Sequence, residues 1–274
     1  MNTPSIGADP KLFLETETGQ LRSAIGLFGG SKEAPRHLER IGFALQEDNV
    51  ALEFNIPPAE TVEEFVNSIQ WSISRINQEA EGLGLRPTIR ASAKFPNSEL
   101  LDPKSHQFGC DPDFNAWTIP VEMNSRPMVE DNTFRSCGGH IHVGLCKVPE
   151  ENEFRILDFV RAMDLYLGVP SVGMDEDKDR RQLYGKAGAH RLTSYGFEYR
   201  TLSNFWLKSP ALTRWAYTQT QRAYKWVLSF YNQENLDGMW SVLSDDIQKC
   251  INTGDVYLCQ HLCTEYNLEL VNVR

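Results

Sequence analysis

The sequence predicts an α+β fold in which an antiparallel sheet carries polar residues on a concave face and helices pack behind it. Residues 50–58 (VALEFNIPP), 137–144 (CGGHIHVG) and 195–206 (YGFEYRTLSNFW) each alternate apolar residues with ionisable or amide residues. Successive side chains of a strand point to opposite faces, so this alternation predicts strands with one buried and one polar face. We expect a single domain over residues 1–274.

Turn and proline signals place further strands around these segments. Residues 6–14 predict an opening strand that Pro10 interrupts, and residues 40–58 predict a hairpin with its turn at residues 47–49. Pro57 and Pro58 are expected to stop the second strand of this hairpin, because proline cannot donate to a ladder.

Helical periodicity follows the hairpin. Thr61 and Glu64 have the spacing of a capping box, and an apolar stripe runs from there to the glycines near residue 82. A second helix is predicted over about 151 to 168, closed by Gly168 and Pro170. A C-terminal helical segment over about 209–274 is expected to hold three helices, at about 210–234, 236–251 and 254–265.

Composition excludes several classes of protein. The net charge of −10 disfavours non-specific binding of nucleic acid or anionic membranes, which requires clustered Lys and Arg. The six cysteines form no CxxC pair and are interpreted as reduced thiols. Because no apolar run reaches the length of a membrane span and the first residues lack a signal core, we expect a cytoplasmic protein. A homo-oligomer stays open.

The polar residues of the three alternating segments share faces in pairs. Glu53 lies on one face with Asn55, His140 with His142, and Glu198 with Arg200. If the strands are neighbours, carboxylates, imidazoles and a guanidinium converge on one surface, which suits divalent metals and a phosphoryl group. Two ordinary alternatives are hydrogen-bonded strand histidines and a cross-strand charge pair.

Six segments in chain order resemble one known family. They are GADPKLFL, GGSKEAP, QEDNVALEFNIPP, GCDPDFNAWT, CGGHIHVG and YGKAGAHRLTSYGFEYRTLSNFW, which together span roughly residues 5 to 210. They are similar to the phage-type carboxylate–amine ligases, distant relatives of glutamine synthetase and glutamate–cysteine ligase. The resemblance implies an antiparallel sheet whose concave face holds divalent metals and ATP. It also implies activation of a carboxylate as an acyl phosphate, followed by attack of an amine.

The resemblance implies roles for individual residues. Its metal ligands fall on Asp9, Glu53, His140 and Glu198, with His142 at the nucleotide and Arg200 at the transferring phosphate. Lys11 departs from the family pattern, which has a second carboxylate there. Lys11 therefore either reduces the number of metals or supplies a cation to a phosphate.

Further residues complete the predicted site. Arg191 and Lys186 are expected to assist Arg200, which holds phosphate oxygens in a bidentate fork. Lys32, in the glycine loop GGSKE, is a candidate for phosphate binding, although the loop lacks a Walker pattern and suits a plain turn equally well. Asn55 and a loop group are the candidates for substrate recognition, while Asp and Asn in such loops also build ordinary turns. The loop group consists of Asp111, Asp113 and Asn115.

The sequence thus predicts an ATP- and Mg²⁺-dependent ligase, with Mn²⁺ as the alternative ion, that joins a small-molecule or peptide carboxylate to an amine. A small-molecule kinase on the same scaffold is the first alternative. A catalytically silent phage binding or assembly protein is the second, and a metallohydrolase that uses His140 and His142 is the third.

Overall fold

The protein is a mixed α/β structure built on a large antiparallel sheet, seen in a computed structural model that describes residues 3–106, 113–124, 131–145, 153–230 and 236–272. Its strands are β1 (Ser5–Ala8), β2 (Lys11–Thr16), β3 (Leu21–Arg22), β4 (Arg36–His37), β5 (Ala44–Asp48), β6 (Ala51–Ala59), β7 (Leu85–Thr88), β8 (Ser92–Lys94), β9 (Phe114–Asn115), β10 (Glu122–Met123), β11 (Phe134–Ser136), β12 (Ile141–Gly144), β13 (Ala189–Thr193) and β14 (Gly196–Tyr199). Its helices are α1 (Val62–Glu81), α2 (Glu153–Met163), α3 (Val169–Met174), α4 (Asp179–Leu183), α5 (Pro210–Ser229), α6 (Leu236–Thr253) and α7 (Val256–Glu265).

The large sheet follows the order β10-β9-β13-β14-β12-β1-β6-β2-β3, with β5 on the other edge of β6 and β7 beside β2. The strand pairs of this sheet are antiparallel, which confirms the predicted fold class. A small second sheet pairs β8 with β11. The helices α1 and α2 pack against β6 and β14, so a helical layer covers the apolar face of the sheet.

The break between β1 and β2 falls at Asp9 and Pro10, as predicted. The chain stays inside the sheet there, because the Lys11 N–H donates to the Gly138 carbonyl at 3.0 Å and the Phe54 N–H donates to the Pro10 carbonyl at 3.2 Å. Asp9 therefore projects from the middle of a sheet and not from a free loop.

The predicted stop at Pro57 and Pro58 is wrong, since β6 continues to Ala59. The β5 ladder ends where Ala44 faces Asn55. Pro57 and Pro58 lie beyond that point, so their lack of an N–H breaks no hydrogen bond to β5. On the other edge the register with β1 shifts between Ile6 and Ala8. Proline is tolerated at such an irregularity.

Helix α1 begins as predicted. The Thr61 hydroxyl accepts the Glu64 N–H at 3.2 Å and the Glu64 carboxylate accepts the Thr61 N–H at 3.1 Å, which completes the capping box.

The predicted stop at Gly168 and Pro170 is wrong, because a π-helical turn over residues 164–168 leads directly into α3. Pro170 is the second residue of α3, directly after the π-helical turn, so it lies within a continuous helical stretch and does not end it.

The C-terminal helices α5, α6 and α7 agree with the prediction in number and order. Across the described ranges, none of the helices combines the length and the apolar character that a membrane crossing requires.

A buried carboxylate on the π-helical turn ties the helical layer to the sheet. Asp164 is fully buried and accepts four hydrogen bonds, from Tyr199 Oη at 2.8 Å, Thr201 Oγ1 at 3.2 Å, Trp117 Nε1 at 2.6 Å and the Gly188 N–H at 2.5 Å. Burial raises the pKa of Asp164 to about 6, although these donors lower it. The network therefore fixes β14 from the side of the sheet that the helices cover.

Asp164→Asn is expected to change how stability depends on pH. The pKa of Asp164 is higher in the folded than in the unfolded chain, so its stabilising contribution is complete below about pH 4 and is lost as pH rises through about 6. The free energy of unfolding of the wild type should therefore fall relative to the variant between pH 4 and 7. One pKa unit corresponds to about 1.4 kcal/mol, which gives a change of about 2–3 kcal/mol.

Urea unfolding of both proteins at several pH values measures this difference. Asp246→Asn, an exposed carboxylate on α6, is the matched control and should follow the wild type at every pH. A constant difference between the wild type and Asp164→Asn would contradict the raised pKa.

Candidate active site

The register of three strands sets a row of polar side chains across the sheet. His142 on β12 faces Glu198 on β14, and Glu198 faces Arg191 on β13. On the other side of β12, His142 faces Gly7 on β1. Because paired residues point to the same face, these side chains lie on one surface, which we call the polar face.

Two glycines make room for His140 just before β12. A Cβ on Gly138 would lie 2.4 Å from the His140 Nε2, and a Cβ on Gly139 would lie 2.3 Å from the Ser203 carbonyl oxygen. Both distances are too short for any side chain. The pair Gly138–Gly139 is therefore needed for close approach of the backbone and for the position of the His140 ring.

Four side chains form a compact group on the polar face, and we call Asp9, His140, His142 and Glu198 the Asp9 cluster. The Asp9 Oδ1 lies 3.3 Å from His140 Nδ1 and 3.2 Å from His142 Nε2. The same His140 Nδ1 lies 2.9 Å from Glu198 Oε1. Asp9, His140 and Glu198 are buried, so these groups are held together away from bulk water.

The charges of the Asp9 cluster shift one another's pKa values. Burial by itself raises the pKa of Asp9, but the adjacent His142 and His140 outweigh it and hold that pKa well below its usual value. Burial lowers the pKa of His142, yet the negative charges of Asp9 and Glu198 leave it raised. The aspartate is therefore ionised at neutral pH, as a metal ligand must be.

Two arginines surround the Glu198 carboxylate. Arg200 donates through Nη1 to Glu198 Oε1 at 2.6 Å, and the Arg191 guanidinium pairs with the other oxygen. Burial and Asp9 raise the pKa of Glu198, but His140 and Arg200 prevail and bring it to about 2. Two guanidinium groups, one buried and one partly exposed, thus stand beside the predicted metal ligands.

The Asp9 cluster has the donor set of a divalent metal site. Asp9, His140 and Glu198 each offer one ligand atom, and these atoms lie within 4.8 Å of one another. Apart from their contacts within the Asp9 cluster, the buried Asp9 Oδ1 and His142 Nε2 have no hydrogen-bond partner among the described residues, so both point towards a ligand position. Carboxylate oxygens suit Mg²⁺, and the added imidazole nitrogen also suits Mn²⁺.

Glu53, the fourth predicted metal ligand, lies on the polar face but has other partners. Its Oε2 is 3.3 Å from Lys11 Nζ, and its Oε1 accepts a hydrogen bond from the Gln46 amide. Burial, aided by Asp9 and Asp48, raises the pKa of Glu53 to about 8 even though Lys11 lowers it.

The predicted substrate residues separate into different environments. The Asp113 Oδ1 lies 3.4 Å from Arg200 Nε, next to the Asp9 cluster. Asn55 shares a face with Glu53, and its buried Oδ1 has no hydrogen-bond partner in the described part of the chain. Asn115 instead accepts the Trp117 N–H at 2.9 Å. This bond belongs to a local turn, the ordinary role that the sequence also allowed for Asp and Asn in such loops. Asp111 lies outside the described residues.

The described structure does not bring the two predicted lysines to the Asp9 cluster. Lys186 Nζ donates to the main-chain carbonyl of Arg181 at 2.7 Å and reaches that of Asn252 at 3.5 Å. Lys32 is exposed on a loop whose preceding N–H groups bind the Glu47 carboxylate. Glu47 precedes Asp48 on β5 and alternates with Gln46, so its side chain leaves the sheet on the face opposite Gln46.

One residue of the site was missed in the sequence. Tyr195 hydrogen-bonds through its hydroxyl to His142 Nδ1 at 2.7 Å and stacks on the same ring, with the ring centroids 6.0 Å apart. The hydrogen bond orients the imidazole so that Nε2 faces Asp9. Tyr195 occupies the turn between β13 and β14. The alternation of side chains along a strand does not extend into a turn, so it does not predict where the Tyr195 side chain points.

The fold and this site define an antiparallel-sheet protein with a carboxylate, histidine and arginine centre. Residues 129–248 match the family described as Phage phiEco32-like COOH.NH2 ligase-type 2. The match confirms the resemblance inferred from the motifs, and it includes both histidines, Glu198 and both arginines.

The chain is also similar to a solved structure of GmaS in complex with ADP, conformation 1, at 11% sequence identity and a TM-score of 0.38. The similarity covers 98% of this chain and 71% of that chain. No curated protein matches the sequence.

The pKa of His142 is expected to fall in Asp9→Asn, because the substitution removes the larger of the two negative charges that raise it. NMR titration of the imidazole resonances, in protein treated with a chelator, measures the shift. Asp246→Asn, the exposed carboxylate on α6, is the control, and its titration should match the wild type. An unchanged His142 pKa in Asp9→Asn would show that the two side chains do not interact in solution.

Proposed function

We propose that the protein is an ATP- and Mg²⁺-dependent carboxylate–amine ligase that forms an amide or isopeptide bond through an acyl phosphate. The observation that carries this proposal is the Asp9 cluster with Arg191 and Arg200 beside it, within a chain whose residues 129–248 match a carboxylate–amine ligase family. A carboxylate is a poor acylating agent because its leaving group would be oxide. Phosphorylation supplies a better leaving group before the amine attacks.

Each part of the cluster has a role in that reaction. Asp9, His140 and Glu198 hold the divalent ion, which neutralises charge on the polyphosphate when bound. Arg200 and Arg191 hold oxygens of the transferring phosphoryl group, since a guanidinium keeps its charge and offers a fork of donors. His142, oriented by Tyr195, contacts the nucleotide or the ion through Nε2.

The amine and carboxylate substrates approach from the side of Asp113. Its carboxylate lies against Arg200, and burial raises its pKa although Arg200 and His140 oppose this. A carboxylate in this place attracts a cationic amine and accepts a proton from it as the new bond forms. Asn55 adds a hydrogen-bonding oxygen on the polar face.

Release of ADP and phosphate is the first activity to measure, with ATP and Mg²⁺ and pooled carboxylate and amine candidates. The proposal expects release that requires both pools and that is lost on chelation. Glu198→Gln and Arg200→Lys should each reduce the rate by about 100-fold or more, the usual loss when one charged group at a transition state is removed or misplaced. Arg200→Lys keeps the charge but loses the fork.

Glu265→Gln, an exposed carboxylate on α7, is the matched control and should retain the wild-type rate. Circular dichroism of each variant separates loss of chemistry from loss of fold. Phosphate transfer that ignores the amine would identify a kinase, and the absence of nucleotide binding with Mg²⁺ would indicate a silent binding protein. Either result would reject the proposed function.

A further inference from the structure

Lys11 is a buried lysine in the middle of the polar face. It is only 7% exposed, and its main chain is fixed by its N–H bond to Gly138 and by a 2.8 Å hydrogen bond from the Asn204 amide to its carbonyl. It also faces Glu53 across the β2–β6 ladder. The strand therefore determines where the ammonium lies, and the side chain has little freedom to leave.

The ammonium of Lys11 lies between two carboxylates. Its Nζ pairs with Asp48 and lies 3.3 Å from Glu53 Oε2. The two carboxylates come from neighbouring strands, and Gln46 of β5 binds the second oxygen of Glu53. Oxygen atoms thus converge on one point from two strands, an arrangement that suits a cation.

This point adjoins the Asp9 cluster. Asp9 and Lys11 are separated by one residue and both emerge on the polar face, Asp9 towards the histidines and Lys11 towards Glu53. A carboxylate pair beside a metal site would ordinarily attract a second divalent ion. Here a covalently attached ammonium already fills the place, and a bound cation excludes another through repulsion and volume.

We propose that the Lys11 ammonium occupies a second cation position, formed by Asp48 and Glu53, so that the polar face binds a single divalent ion at Asp9, His140 and Glu198. The inference rests on the metal site of the proposed function and adds the number of divalent ions that the polar face binds. It also assigns Glu53 to Lys11 and removes it from the metal ligands. Shortening Lys11 opens Asp48 and Glu53 to a divalent ion.

Counting bound Mn²⁺ tests the inference without any need for turnover. Equilibrium dialysis against free Mn²⁺, in the absence of nucleotide, is expected to give one tightly bound ion per wild-type chain and two per Lys11→Ala chain. Lys249→Ala, an exposed lysine on α6, makes the same change in net charge and should keep one ion. Asp48→Asn combined with Lys11→Ala should return the count to one.

Thermal unfolding provides a second measurement. Lys11→Ala leaves the buried Glu53 and the partly exposed Asp48 without their cation, so it should unfold at a lower temperature than the wild type in a chelator. Saturating Mn²⁺ should raise its midpoint by about 5–10 °C more than it raises that of the wild type, because an additional ion binds only the folded chain. Lys11→Ser serves as the second variant if Lys11→Ala does not fold.

Two results would overturn the inference. One is a wild type that binds two Mn²⁺, which would show that Lys11 excludes nothing. The other is failure of both Lys11→Ala and Lys11→Ser to take up an additional ion, whether or not they fold. A wild type with no Mn²⁺ and a Lys11→Ala variant with one would reject the Asp9 metal site and still support the role of Lys11.

Discussion

The antiparallel register of β1, β12 and β14 is the constraint on which the polar face depends. A slip of one residue would turn His142 and Glu198 into the helical layer and bring Val143 and Phe197 to the surface. Val143, Phe197 and Ile6 are at most 1% exposed, so such a slip would lose the burial of three large apolar side chains. Fully burying one such side chain is worth about 1.5–3 kcal/mol. The apolar core therefore holds the polar face in register.

The polar face itself contributes little to stability and costs free energy to assemble. Charged groups such as Asp9, Glu198 and Arg200 lose hydration free energy when they are buried. A buried ion pair regains that free energy only when its geometry is excellent. Well-packed apolar residues at these positions would serve stability as well or better. Clusters of perturbed pKa values are typical of functional sites, where charges are arranged in advance for a ligand or a transition state. The Asp164 network behind β14 supports this arrangement by fixing the strand from the opposite side.

The sequence predicted which residues of a strand share a face, but not which strands lie next to one another. Alternation is a local property, so the pairing of His140 with His142 and of Glu198 with Arg200 on single faces followed from period two alone. Contacts between distant segments depend on register, which no local pattern encodes, and the Lys11 contact with Glu53 required the β2–β6 ladder. Local signals failed in a different way at the prolines, where Pro170 was interpreted as a helix stop although it stands in the first turn of the next helix.

The charge balance of the polar face gives a physical reason for a divalent ion in the proposed reaction. Arg200 already pairs with Glu198 and lies near Asp113, Arg191 already pairs with Glu198, and Lys11 lies between its own carboxylates. A polyphosphate that entered such a face alone would find cations whose charge is already compensated, in a protein whose net charge is −10. A divalent ion bound at Asp9, His140 and Glu198 would neutralise Glu198 and free both guanidinium groups for phosphate oxygens. In the proposed reaction, metal and arginine would therefore act as one electrostatic unit, in which the ion releases the arginines from Glu198 so that they can bind phosphate.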